Sequence, residues 1–113
     1  MLTLSIILFA IAAIFGLTLI VPLLQNKETP KISVVFHGIF AATALVLLII
    51  FAINHTESLP VISIIIFVTA AIGGFILFTR DVVLKKPGPK ALALIHASAA
   101  VIAFLIILIF ALS

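Results

Sequence analysis

The 113-residue chain is 66% hydrophobic and 8% charged, with a mean hydropathy of +1.64, whereas a soluble domain is about one quarter charged. At this length no water-soluble fold could hide so much hydrocarbon, because small domains leave much of their surface exposed. The net charge of +3 is too small and scattered for a nucleic-acid surface.

Cysteine is absent, which excludes disulfides, thiolate metal sites, thiol redox chemistry and haem attached through Cys-x-x-Cys-His. Trp and Tyr are absent too, so Phe36, Phe51, Phe78 and Phe110 stand in for the usual interfacial aromatic belt. No cleavable signal peptide is expected. The first basic residue is Lys27, and the opening apolar run is too long for a signal h-region.

Crossing about 30 Å of hydrocarbon takes about 20 apolar residues in a helix. Four runs have that character: 2–24, 32–53, 61–78 and 91–112. Polar, proline-bearing connections separate them at Gln25–Pro30, Asn54–Pro60 and Thr79–Pro89. Pro30, Pro60 and Pro89 each sit near the next helix's first turn, where proline is cheapest. Such short connections make consecutive helices antiparallel neighbours. The expected fold is an all-α, up-down-up-down four-helix membrane bundle forming one domain.

All six basic residues flank the first and third loops: Lys27 and Lys31, then Arg80, Lys85, Lys86 and Lys90. Basic residues favour the cytoplasmic side. The expected topology therefore has loops 25–31 and 79–90 in the cytoplasm of a bacterial plasma membrane, with loop two and both termini outside.

An internal repeat joins the two halves, with units at 1–54 and 60–113. A shift of 59 superposes Pro30-Lys31 on Pro89-Lys90, His37 on His96, Ala41 on Ala100, Ala44 on Ala103, and Phe51-Ala52 on Phe110-Ala111. A shift of 58 superposes Ser5 on Ser63, Phe9 on Phe67, Ala12-Ala13-Ile14 on Ala70-Ala71-Ile72, and Gly16 on Gly74. Aliphatic matches are cheap in such a chain, but matched histidines, glycines and Pro-Lys pairs are not. Each unit has two helices, so the units relate by a pseudo-twofold axis along the membrane normal.

His37 and His96 then share one depth on diagonally opposed helices, about 10 Å in from the basic end. Ionisable groups inside a span are costly and are read as functional. Ala41 and Ala44 follow His37 on one helix face, and Ala100 and Ala103 follow His96. Gly16 and Gly74 fall near the same level on the other two helices. Two opposed imidazoles among small residues describe a slot for one bis-histidine haem b, with Lys31 and Lys90 placed for the propionates. A packing role stands beside this reading: the histidines could bond each other or Ser33, Thr43 and Ser98, and Ala12-x-x-x-Gly16 and Ala70-x-x-x-Gly74 fit close helix packing. Zinc or mononuclear iron suits the site less, with two protein ligands and no carboxylate in the spans. His55, Glu28, Glu57 and Asp81 are expected to be solvated loop residues. No phosphate loop or nucleophile motif is present.

His37-Gly38 and His96-Ala97, on helices two and four, resemble the small membrane-embedded b-type cytochromes. The likeness is architectural and covers the whole chain, which is also similar to uncharacterised bacterial four-helix proteins. The resemblance implies haem b and electron transfer, with a quinone or a larger redox complex as partner. Those cytochromes commonly carry two histidine pairs, whereas this chain has one, enough for electron exchange near one face. The functional alternatives are a haem-free structural or assembly subunit and a small proton-linked transporter, and a homo-oligomer is compatible with each.

Overall fold

The computed structural model describes residues 1–55 and 57–113. Thr56, which the sequence places in the second loop, lies outside the described residues. The chain folds as four helices: α1 (Leu2–Leu24), α2 (Lys31–Ile53), α3 (Ser58–Phe78) and α4 (Lys90–Leu112). Each is long and apolar enough to cross a membrane, and the chain is a multi-pass membrane protein. No strand occurs among the described residues.

The helix ends follow from local chemistry. Pro30 and Pro89 cap α2 and α4 in extended conformation, so the bundle reads the Pro-Lys pairs as helix starts. α1 ends with Asn26 at a left-handed φ of 59°, which Asn tolerates better than most residues. Its amide donates to Leu23 O and that of Lys27 to Pro22 O, closing the helix end as a Schellman motif.

The third span is longer than the apolar run suggests. α3 starts three residues early, at Ser58, because Pro60 sits in its first turn, where the missing amide has no helical partner to lose. At the other end the chain continues into a π-turn over Thr79–Val83. Thr79 and Asp81 therefore extend the span instead of opening the loop, and the membrane-spanning element covers Ser58–Val83.

α1 packs mainly on α2, and α3 mainly on α4, with thinner α1–α4 and α2–α3 seams completing the square. The interior mixes alanines and two serines with a few large apolar side chains, whereas the outside is aliphatic. Ser5, Ala44, Leu48, Ser63, Ala103 and Ile107 are fully buried, while Ile14, Leu17, Ile65 and Ile72 are exposed. Lipid is as apolar as leucine, so small residues that let backbones approach are the ones that gain from facing inward.

Matched positions make matched contacts. Ser5 Oγ donates to Ala44 O at 2.8 Å, and Ser63 Oγ donates to Ala103 O at 2.8 Å. Phe9 and Phe67 meet face to face, with ring centres 3.9 Å apart. Phe51 and Phe110 meet edge-on at 6.2 Å. Leu48 and Ile107, equivalent under the shift of 59, are both fully buried.

Candidate functional site

The two intramembrane histidines come together. Their ring centres are 6.1 Å apart, with planes 80° from parallel. Both rings are only partly buried.

Each imidazole is held by a backbone carbonyl of its neighbouring helix. His37 Nδ1 lies 2.8 Å from Ala12 O, and His96 Nδ1 lies 2.6 Å from Ala70 O. A carbonyl only accepts, so Nδ1 carries the proton, and in the neutral ring Nε2 keeps a lone pair. The glycines make this possible. A helical side chain covers the turn preceding it, so Gly16 and Gly74 uncover the carbonyls of Ala12 and Ala70 four residues earlier. The rings fill the uncovered space: a Cβ on Gly16 would lie 3.3 Å from His37 Cε1, and one on Gly74 would lie 2.9 Å from His96 Cε1. The glycines thus receive the imidazoles themselves.

Each hairpin is consequently tied twice, once from each helix. Histidine on the second helix reaches a carbonyl of the first, and serine on the first reaches a carbonyl of the second. Ser33, Thr43 and Ser98 take no part in hydrogen bonds to the histidines. Ala44 and Ala103 are buried, whereas Ala41 and Ala100 are half-buried beside them. The Phe9–Phe67 stack, one helical turn beyond Ala12 and Ala70, closes the interior on the side away from the lysines.

The basic end is not symmetric. Lys31 pairs with Asp81, Nζ to Oδ1 at 2.5 Å, and Thr29 also donates to that carboxylate. Asp81 is therefore an ion-paired, mostly buried residue of the π-turn and not a solvated loop residue. Lys90, the counterpart of Lys31, is exposed. His55 lies at the opposite end, exposed, stacked on Phe51 at 3.8 Å with Nδ1 2.8 Å from Phe51 O.

The lipid-facing flanks of the histidines also differ. Beside His37, Phe15 stacks on Phe36 and Phe40 at 5.5 and 5.8 Å. The matched positions beside His96 are Gly73, Ile95 and Ala99, and there a shallow groove of about 230 Å³ runs between α3 and α4. The sequence carries this difference at Phe15/Gly73, Phe36/Ile95 and Phe40/Ala99, among other unmatched positions of the repeat.

Two imidazoles with Nδ1 turned to a carbonyl and Nε2 left free are the donor type a haem iron takes, and their ring centres stand 6.1 Å apart. With metal–nitrogen bonds of about 2 Å, opposed imidazoles on one metal place their ring centres roughly 6 Å apart. No group of three or more His, Asp or Glu side chains gathers among the described residues. Compared with known proteins, the chain matches no family, no curated protein and no solved structure.

Proposed function

We propose that the chain is a single-haem b-type membrane protein in which His37 and His96 would hold the haem iron through Nε2, serving as an electron carrier or accessory redox subunit. One observation carries the reading. Both rings spend Nδ1–H on a carbonyl, which leaves Nε2 as the free donor atom, and their centres stand 6.1 Å apart. Outer hydrogen bonds of this kind orient a ligating ring and raise its basicity. Bound haem would supply one-electron exchange. The chain's own residues fix the tautomer through Ala12 O and Ala70 O, exclude water with an aliphatic shell, and bring positive charge to one end. Of the two lysines, Lys90 is the one not engaged with a carboxylate of this chain. The basic end is cytoplasmic in this reading, by the lysine and arginine bias of its loops, in a bacterial plasma membrane.

A second reading is favoured by the glycines. Gly16 and Gly74 are filled by imidazole edges, so the histidines also serve as interhelical ties of a haem-free bundle. An absorption spectrum of protein purified from haem-sufficient cells separates the two. The haem reading expects a Soret band and a sharp α-band on reduction, at one haem per chain. His37→Ala and His96→Ala should each leave five-coordinate or haem-depleted protein, with His55→Ala unchanged. Colourless protein that takes up no added hemin overturns the haem reading and leaves the structural one.

A further inference from the structure

We infer that the connection between α3 and α4 forms a headgroup site for an anionic phospholipid, with phosphatidylglycerol as the type ligand. Arg80, Lys85, Lys86 and Lys90 place four of the six basic residues within eleven positions. The one carboxylate in that stretch, Asp81, is engaged by Lys31 and Thr29. Glu28, the other carboxylate at this end, is exposed on the first loop. Positive charge on the connection is therefore left without an acidic partner among the described residues, for which Lys31–Asp81 is the ion pair found.

The connection is also folded, so its charges sit on a platform. Leu84 N–H donates to Thr79 O at 2.9 Å, and Lys86 N–H donates to Arg80 O at 2.8 Å. Lys85 takes a left-handed φ of 53°, which turns the chain back towards the bundle. Gly88 then lies against the ends of α1 and α3, where a Cβ would meet Leu77 at 3.0 Å and Leu23 at 3.9 Å. Lys85, Lys86 and Lys90 stay exposed. Arg80 is half-buried, with its Nε buried and unbonded.

This platform lies at the ends of membrane-spanning helices, the level of lipid phosphates. A lysine near an anionic membrane surface strengthens the attraction about fivefold. The site does not use the histidines, and Lys85 and Lys86 belong to it alone, while Lys90 is shared with the propionate side of the proposed haem.

The test is native mass spectrometry of the full chain released from nanodiscs of equal phosphatidylglycerol and phosphatidylcholine. Wild-type protein should retain phosphatidylglycerol over phosphatidylcholine. The triple variant K85Q/K86Q/K90Q should lose at least about tenfold of that preference, while K27Q, on the other loop at the same end, should lose no more than the roughly fivefold of one surface lysine. The triple arginine variant K85R/K86R/K90R keeps the charge and should keep the preference. No preference in the wild type overturns the inference, as does equal loss in K27Q, which would mean net charge alone. Loss in the arginine variant also overturns it. Displacement of the lipid by millimolar inorganic phosphate would assign the cluster to free phosphate and overturn the lipid site.

Discussion

Adding one methyl group at two adjacent glycines should give opposite results. At Gly73 a Cβ meets Leu92 at 3.7 Å and His96 Cβ at 3.8 Å, ordinary contact distances. At Gly74 it would lie 2.9 Å from His96 Cε1, so the ring must retreat by roughly half an ångström or more. That ring is held by the 2.6 Å bond to Ala70 O, and retreat stretches or breaks it. An interhelical polar bond in a membrane is worth roughly 0.6–1.7 kcal/mol, and the displaced packing adds to the loss. Replacing glycine by alanine in a helix gains up to about 1 kcal/mol. Gly73→Ala should therefore be neutral or stabilising by up to that amount. Gly74→Ala should fall below it by roughly 1–3 kcal/mol, and Gly16→Ala, at 3.3 Å from His37 Cε1, should fall between. The chain has no Trp or Tyr, so unfolding in mixed dodecyl sulfate and maltoside micelles is best followed by far-ultraviolet circular dichroism. A Gly74→Ala protein as stable as Gly73→Ala would refute the argument that Gly74 exists to seat the imidazole.

Ser5→Ala and Ser63→Ala each remove one buried interhelical bond and should each destabilise the bundle by roughly 0.6–1.7 kcal/mol in the same unfolding measurement. The accepting carbonyls keep their helical partners, so a loss above about 3 kcal/mol would show that the hydroxyls do something else. A double-mutant cycle on Lys31→Met and Asp81→Asn should give a coupling below about 1 kcal/mol, because the Lys31 side chain is 51% exposed and solvent screens the pair.

The fold was legible because lipid imposes a length. Four apolar runs cut by proline and charge leave little choice beyond four crossing helices. Apolar content is a poor guide to where a span ends, however. The π-turn after Phe78 continues the third span through Arg80 and Asp81, two residues that hydropathy assigns to the loop, because Lys31 and Thr29 from another helix start satisfy the carboxylate. The histidine partners were hidden for a different reason. Side chains are written in the sequence and carbonyl acceptors are not, so Ser33, Thr43 and Ser98 looked like partners while Ala12 and Ala70 looked like filler. The readable signal is indirect: a glycine four residues after the acceptor, on the helix facing a histidine. The same blindness hid the serine ties, although Ser5 and Ser63 had been matched by the repeat.

Two identical pairs of the repeat meet each other in the interior, although the buried and unlike Leu48 and Ile107 show that burial alone does not keep a position identical. Phe9 meets Phe67 and His37 meets His96, each residue facing its own equivalent, so a change at one position must be fitted by the unchanged partner across the axis. Residues on the outer flanks face lipid, which accommodates either shape. There Phe15, Phe36 and Phe40 stand opposite Gly73, Ile95 and Ala99 without disturbing the core. One histidine is consequently walled from lipid by aromatic rings and the other lies beside a groove. Two histidines that are equal in sequence position, tautomer and carbonyl partner thus stand in unequal surroundings. Where the flanks matter to a reaction, substitutions beside His96 will act differently from the same substitutions beside His37, while substitutions at the axis will act alike.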